Sequence, residues 1–229
     1  MKYGFLFTFL GGLCGFYAAR SPWLGWLLAW AGLSFTLVGL GYLSFGARVY
    51  GKRRDGTMAG VSRLALLPYL LFLTVIWRMA RLVQREPPYH DLCDGVSIGR
   101  RLLAAEFPVK FTSVIDLTCE FPEPGRIREM EGYRCFPILD ASAPADADLR
   151  DLLAELAEIE GALYIHCAEG HGRTGLVAAS LLLERGLATG VEEAIRMVQE
   201  RRPKVRLNRE QTDALERFFA SRVGQSERT

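Results

Sequence analysis

An α/β domain preceded by an apolar membrane segment is the fold class that this 229-residue sequence predicts. Before residue 46 the only charged residues are Lys2 and Arg20, and the apolar runs there have the length of bilayer spans. After residue 90, short β-branched segments alternate with amphipathic helical segments, a pattern typical of a sheet with at least partly parallel strands. A glycine-rich loop, HCAEGHGRTG at 166–175, joins one such strand to a helix.

The N-terminal third is predicted to form a transmembrane helical hairpin with spans at about 4–19 and 23–45. The second run carries no charge and has its tryptophans toward one end, as at a membrane interface. A cleaved signal peptide is the alternative for the first run. A soluble helix pair is disfavoured, because 23–45 has no polar face. A further apolar run at 64–83 is either a third span, which gives a three-helix segment, or an interfacial helix.

Basic residues set the predicted orientation of this segment. The connector 46–63 carries five lysines and arginines, which places it in the cytoplasm by the positive-inside rule. Two spans then leave the C-terminal domain cytoplasmic as well, whereas three would place it on the opposite face. We therefore expect an integral membrane protein with a cytoplasmic domain. The odd number of cysteines, five without regular spacing, fits a reducing compartment.

A domain boundary is predicted at 84–92, QREPPYHDL, because two prolines stop a preceding helix. The expected division is a membrane segment over 1–85 and an α/β domain over 86–229. The predicted strands of that domain are 96–100, 112–118, 133–139 and 162–167, and its predicted helices are 146–160, 173–186, 190–201 and 208–222.

The loop at 166–175 is predicted to bind phosphate and to carry a nucleophile. It lies between a strand and a helix, where backbone N–H groups and the helix N-terminus form an anion cradle. The planar guanidinium of Arg173 can pair two phosphate oxygens at once. Cys167 lies at the mouth of this positive field, which favours its nucleophilic thiolate form. We expect Thr174 to donate a hydrogen bond to that sulfur and His166 to orient the loop.

Several other functions are not indicated by the sequence. The phosphate-binding pattern G-x-x-x-x-G-K-[ST] is absent, so use of ATP or GTP is not suggested. No histidine, cysteine or aspartate cluster has metal-ligand spacing, and neither a metal nor another cofactor is expected. The net charge of +2 gives no indication of nucleic-acid binding. The oligomeric state is not predicted.

The string from His166 through Cys167, five residues, Arg173 and Thr174 resembles the signature loop of the cysteine-dependent protein tyrosine phosphatases, and most closely that of the dual-specificity group. The resemblance covers about residues 90–222. It implies a central, mostly parallel sheet flanked by helices, and phosphoric monoester hydrolysis. It also implies that phosphate is bound by the loop residues Ala168, Glu169, Gly170, His171, Gly172 and Arg173.

The same resemblance implies a general acid in the loop after the strand that precedes the signature strand. That segment reads FPILDASAPADADL, and Asp140 is the favoured residue. Asp146 and Asp148 compete with it, although they have the position of helix N-terminal acids. For the basic stretch 201–211 two interpretations stay open. Either Gln211 lies at the active site and helps to place water, or the stretch is a solvated connection with Asn208 as helix cap.

The substrate is expected at the bilayer surface. In YIHCAEGHGR at 164–173 and in Leu139-Asp140 before Ala141, the domain resembles the mitochondrial phosphatidylglycerophosphate phosphatase type within the dual-specificity group. This resemblance implies a phospholipid headgroup. Phosphotyrosine or phosphoserine on a membrane-associated protein is the other expectation. Glu169, and the absence of lysine from the loop, argue against an inositol polyphosphate. The alternatives are a catalytically weak phosphate-binding membrane adaptor and a thiol redox protein with Cys119 or Cys135 as resolving cysteine.

Overall fold

The computed structural model describes residues 2–226, with side chains to residue 223. Contacts divide the chain into two units. One comprises Met1–Glu86 and Cys119–Pro122, and the other comprises Pro87–Thr118 and Glu123–Thr229.

The N-terminal unit is helical. Its helices are α1 (Lys2–Ala18), α2 (Gly25–Leu40), α3 (Gly60–Ala65) and α4 (Leu67–Val83). A π turn and a 3₁₀ turn extend α2, so that the helix runs over Gly25–Tyr50; within the described part of the chain it is the one helix long and apolar enough to cross a bilayer. The run at 4–19 lies almost entirely in α1, whereas the run at 64–83 covers the end of α3 and all of α4. Helices α1 and α4 have 17 residues each, and their insertion in a membrane stays a prediction.

Helices α1 and α2 pack closely because glycines face each other along the contact. A Cβ atom on Gly11 would lie 2.7 Å from the carbonyl oxygen of Gly32, and one on Gly39 would lie 2.7 Å from the backbone nitrogen of Thr8. Such close backbone approach is typical of helix pairs in lipid. The outward faces carry large apolar side chains, among them Phe9 at 68% exposure and Trp26 at 67%.

A five-stranded mixed sheet forms the centre of the C-terminal unit. Its strands are β1 (Tyr89–Cys93), β2 (Val96–Arg100), β3 (Ser113–Thr118), β4 (Gly132–Ile138) and β5 (Leu163–Cys167). The spatial order is β1-β2-β5-β3-β4, and only the β1–β2 pair is antiparallel. The mixed α/β class expected from the sequence is therefore confirmed. The parallel arrangement places the carboxyl ends of β3, β4 and β5 at one edge.

Strand β1 was not predicted, since its residues fall in the segment interpreted as a break. It pairs with β2 through a two-residue turn at Asp94 and Gly95, and Gly95 has φ +73°. Asp-Gly between extended segments is a strong hairpin signal. That pair could have identified the strand from sequence, and the preceding prolines obscured it.

The helices of this unit are α5 (Gly125–Arg128), α6 (Asp146–Ala157), α7 (Gly172–Glu184), α8 (Val191–Arg201) and α9 (Arg209–Ser226). The core lies between the sheet and α7, in which every residue from Arg173 to Leu183 is buried. Strand β5 is buried along its whole length. Each fully buried leucine or isoleucine side chain here contributes roughly 1.5–3 kcal/mol. This packing fixes the ends of β5 and α7, and therefore the loop between them.

Candidate active site

The loop between β5 and α7 is four residues long. Cys167 ends β5 and is 3% exposed, while His171 is the residue that precedes α7. Gly170 has φ +73°, and a Cβ atom there would lie 2.6 Å from the backbone nitrogen of Arg100 and overlap the backbone of Gly99. Only glycine fits this position. The resulting curl brings the Gly170 N–H group to 3.2 Å from the Cys167 Sγ atom, to which it donates a hydrogen bond.

Three consecutive carbonyl groups of the loop are turned away from its centre. The Ala168 oxygen accepts from the Arg101 backbone nitrogen at 3.2 Å. The Glu169 and Gly170 oxygens accept from Arg202 Nη2 and Nε at 3.0 and 2.8 Å. In a planar trans peptide the C=O and the following N–H point in opposite directions. The N–H groups that follow these carbonyls therefore point toward the loop centre, where the N-terminus of α7 adds its partial positive charge.

Arg202 is a functional residue that the sequence interpretation missed. It is fully buried, and besides the two loop carbonyls its Nη1 atom contacts the Pro87 oxygen at 3.1 Å and His90 Nδ1 at 3.2 Å. Its neighbour Arg201 is exposed. Nothing in the sequence separates the two arginines, because the end of α8 decides which side chain turns inward. His90 is half-buried on β1.

Arg173 links the loop to the end of β4. Its side chain is 1% exposed, and Nη1 donates to the Ile138 carbonyl oxygen at 3.0 Å. Nη2 lies 3.0 Å from an Asp140 carboxylate oxygen, and the Asp140 side chain is 66% exposed. The structure thus brings the favoured acid, the arginine and the cysteine loop to one edge of the sheet.

The two competing acids lie elsewhere. Asp146 is in the first turn of α6, where it forms a salt bridge of 3.0 Å with Arg217 of α9. Hydrogen bonding to that guanidinium holds the pKa of Asp146 below its usual value, so this carboxyl is poorly suited to donate a proton near neutral pH. Asp148 is exposed on the same turn.

The hydrogen bond predicted from Thr174 to Cys167 is not formed. The Thr174 hydroxyl is buried on α7 without a hydrogen-bond partner in the described part of the chain, and the sulfur accepts from Gly170 N instead. His166 is buried and directly precedes Cys167 in the chain. Its ring stacks on Tyr164 with 5.4 Å between centroids, and its Nδ1 lies 3.4 Å from the Cys167 carbonyl oxygen.

The two interpretations of the stretch 201–211 do not exclude each other, because Asn208 caps a helix and Gln211 lies near the loop. The Asn208 Oδ1 atom accepts from the Gln211 backbone nitrogen at 3.0 Å, so Asn208 caps α9. The buried Gln211 side chain also lies against the loop, because a Cβ atom on Gly172 would be 3.0 Å from its Nε2. Nε2 donates to the Ser142 carbonyl oxygen at 3.2 Å.

One buried cluster in the described part of the chain has metal-ligand chemistry. Ligand atoms of Asp116, Glu123 and His166 lie within 4.8 Å of one another. The Asp116 oxygens already accept bonds from Thr118 and from the Tyr133 hydroxyl, and burial, with Asp116 adding to it, raises the Tyr133 pKa so that this hydroxyl stays a donor. A 2.8 Å salt bridge joins Glu123 to Arg101. These engaged oxygens fit a hydrogen-bonded network beneath the loop better than an ion site.

A buried cysteine in an inward-facing amide cradle, with an arginine and a carboxylate beside it, defines a phosphatase of the cysteine-dependent class. The family model of the PTP-SAK "Swiss Army Knife" proteins, a DSP-PTPase phosphatase domain, matches residues 101–222. The chain therefore belongs to this family, and its C-terminal domain is a phosphatase domain of the protein tyrosine/dual-specificity type.

Solved structures agree with the fold. Tk-PTP in a mutant form is 25% identical, with a TM-score of 0.53 over 61% of this chain and 98% of that one. Human DUSP28 is 19% identical, with a TM-score of 0.53 over 61% and 99%. PTPMT1 in complex with PI(5)P is 18% identical, with a TM-score of 0.50 over 61% and 99%.

A viral protein of Invertebrate iridescent virus 6, "Putative tyrosine phosphatase 197R", is 41% identical over 64 residues. The match spans 24% of this chain and 24% of the viral protein.

Proposed function

We propose that this chain is a membrane-anchored phosphatase that hydrolyses phosphate monoesters through a cysteinyl-phosphate on Cys167. The observation that carries the proposal is the arrangement around its sulfur. Loop N–H groups converge on the centre of the cradle, and Arg173 and Asp140 meet 3.0 Å apart at its edge. Such preorganised donors stabilise the equatorial oxygens of a transferring phosphoryl group.

In the first step the Cys167 thiolate attacks phosphorus while the bond from phosphorus to the ester oxygen breaks. The Asp140 carboxyl donates its proton to the leaving oxygen. A bound phosphate competes with Asp140 for the guanidinium of Arg173, which releases the carboxyl to face the leaving group. In the second step Asp140 takes a proton from water, the water oxygen bonds to phosphorus and the P–S bond breaks. Gln211, beside the loop, helps to orient that water.

His166 and Thr174 support this chemistry from the buried side of the loop. His166 holds the end of β5 through its stack on Tyr164. The Thr174 hydroxyl lies within α7, where a rotation on formation of the thiolate can direct its proton toward the sulfur.

The membrane assignment rests on the N-terminal unit. The helix Gly25–Tyr50 has 26 residues, which suffices to cross a bilayer, and the exposed apolar faces of α1 and α2 suit a lipid environment. With the basic connector 46–63 in the cytoplasm and two membrane spans, the catalytic domain also lies on the cytoplasmic side. The substrate is accordingly a phosphate monoester at the bilayer surface, either a phospholipid headgroup such as phosphatidylglycerophosphate or phosphotyrosine or phosphoserine on a membrane protein. The solved complex of PTPMT1 with PI(5)P shows a domain of this fold with a lipid phosphate.

The test is phosphate release by the full-length protein in lipid micelles. The panel consists of phosphatidylglycerophosphate, a phosphotyrosyl peptide and a phosphoseryl peptide. We expect Cys167→Ser to reduce turnover at least about 10³-fold, since it removes the nucleophile. Cys93→Ser, at a half-buried cysteine outside the loop, is the matched control and should retain activity. Phosphate binding without turnover on any substrate would instead favour the adaptor.

A further inference from the structure

The turn that carries Asp140 is held from outside by the start of α9. The Ser142 backbone nitrogen donates to the Leu139 carbonyl oxygen at 3.2 Å, which closes a four-residue turn with Asp140 and Ala141 at its centre. Ala141 has φ +54°, and it is the one non-glycine residue with positive φ in the described chain. A turn with positive φ at this position normally takes glycine or asparagine. For alanine this conformation costs about 1–2 kcal/mol, so the local sequence does not favour the turn.

Hydrogen bonds from α9 compensate for this cost. Asn208 Nδ2 donates to the Ala141 carbonyl oxygen at 2.7 Å, and Gln211 Nε2 donates to the Ser142 carbonyl oxygen at 3.2 Å. The Ala143 backbone nitrogen donates to a Glu210 carboxylate oxygen at 3.2 Å. Three consecutive residues after Asp140 are thus each bonded to a side chain at the beginning of one helix.

The orientation of both amide groups follows from helix capping. Asn208 Oδ1 accepts from Gln211 N at 3.0 Å, and Gln211 Oε1 accepts from Asn208 N at 3.2 Å, which is a reciprocal capping box. With each oxygen committed to the box, each NH₂ group is directed at the turn. The capping box at the start of α9 therefore also holds the turn that carries Asp140.

We propose that Asn208 and Gln211 are positioning residues that hold Asp140 in the geometry for proton donation, a role that rests on the phosphatase activity proposed above. They act on Asp140 through the backbone of Ala141 and Ser142, and in the first step neither touches the leaving oxygen. Loss of either donor frees the strained turn to relax, and the Asp140 carboxyl then leaves the cradle. Attack of the Cys167 thiolate on phosphorus does not itself need Asp140. The kcat/KM value, which reports formation of the cysteinyl-phosphate, therefore falls only for substrates that need a proton on the leaving oxygen.

We call the two hydrogen bonds from Asn208 and Gln211 to the carbonyl oxygens of Ala141 and Ser142 the clamp. Matched substitutions separate the effect of this clamp from that of the helix cap. Asn208→Asp keeps an excellent N-cap acceptor and removes the donor to Ala141. Gln211→Glu keeps the capping box and removes the donor to Ser142. Arg209→Gln, at an exposed residue on the same turn of α9, is the control outside the clamp.

The readout is kcat/KM of the full-length protein on phenyl phosphate, whose leaving group needs protonation, and on difluoromethylumbelliferyl phosphate, whose leaving group does not. General-acid assistance contributes about 10²–10⁴-fold, and we expect each clamp variant to lose about 10- to 100-fold on phenyl phosphate and less than about 3-fold on the activated ester. Asp140→Asn should show the same selectivity to a greater degree. The thermal midpoint should fall only modestly and stay well above the assay temperature, since the capping box is retained.

Rescue gives a second, independent measure. Glycine tolerates positive φ, so Ala141→Gly makes the turn intrinsically stable, and Asn208→Asp in that background should lose several-fold less activity on phenyl phosphate. Equal losses on both esters, or no rescue, would overturn the clamp while leaving the phosphatase intact. A wild-type protein without Cys167-dependent turnover of either ester would overturn both proposals.

Discussion

Gly170 is the residue on which the shape of the phosphate cradle depends most directly. Its positive φ turns the loop so that its N–H group meets the Cys167 sulfur, and its missing side chain lets the loop lie against the backbone of Gly99. Backbone strain and steric overlap therefore act together at this position, and the neighbouring backbone of β2 cannot move aside without breaking the sheet.

Gly170→Ala is predicted to destabilise the protein by about 3 kcal/mol and to abolish turnover, because strained φ alone costs about 1–3 kcal/mol. Gly186→Ala is the matched control, since Gly186 also has positive φ, at +66°, but no atom lies within 4 Å of the added Cβ. It should cost about 1 kcal/mol and leave kcat/KM unchanged. Urea unfolding and assay of both variants measure this difference. Equal destabilisation would show that strain, and not contact with β2, restricts the position.

At the scale of elements, the α1–α2 pair depends on small residues at the contact. The ideal Cβ on Gly11 meets α2, whereas the ideal Cβ on the adjacent Gly12 meets nothing within 4 Å. The two glycines have the same place in the helix and differ only in the face on which they lie. Their comparison isolates packing from helix propensity.

Gly11→Val is predicted to lower the thermal midpoint of the protein in detergent micelles, by separating two helices whose backbones are in contact. A clash that cannot relax typically costs about 1–3 kcal/mol. Gly12→Val places the same side chain toward the outside and should leave the midpoint near the wild-type value. If Gly12→Val were as damaging as Gly11→Val, the pairing of α1 and α2 described here would be wrong.

For the whole molecule, the apolar N-terminal helices and the phosphatase domain occupy different parts of the chain. The family match covers residues 101–222, and the apolar helices all precede residue 87. We expect the full-length chain to sediment with membranes and to resist extraction by high salt or carbonate, because an inserted helix is held by burial in hydrocarbon and not by charge.

A chain of residues 87–229 is predicted to lose membrane sedimentation while keeping kcat/KM on difluoromethylumbelliferyl phosphate within about threefold of the full-length value. Activity on phosphatidylglycerophosphate in vesicles should fall much further, because the tether supplies the high effective concentration of the enzyme at the surface. Sedimentation and the two assays on the same preparation measure this. Retained sedimentation of the shorter chain would place the membrane contact in the phosphatase domain itself.

The sequence by itself determined the fold class, the strand–loop–helix setting of Cys167 and Arg173, and the family resemblance, because these are local. Strand and helix periodicities, and the glycines of a short loop, are encoded by neighbouring residues. The candidate general acids could also be ranked from the sequence. Asp146 and Asp148 have the position of helix N-terminal residues, which favours Asp140. Strand β1 could also have been predicted from the Asp94-Gly95 turn that follows it.

Only the tertiary structure decided which distant groups support the site. Arg202 reaches the Glu169 and Gly170 carbonyls from more than thirty positions away, as its hydrogen bonds across the chain show. Asn208 and Gln211 meet the turn after Asp140 only because α9 packs against α6 and α7, which brings its first residues to that turn. Contacts of this kind depend on how helices lie on the sheet, and no periodicity or spacing in the chain encodes them. A buried arginine and an exposed one have the same neighbours in sequence and differ only in the direction imposed by packing.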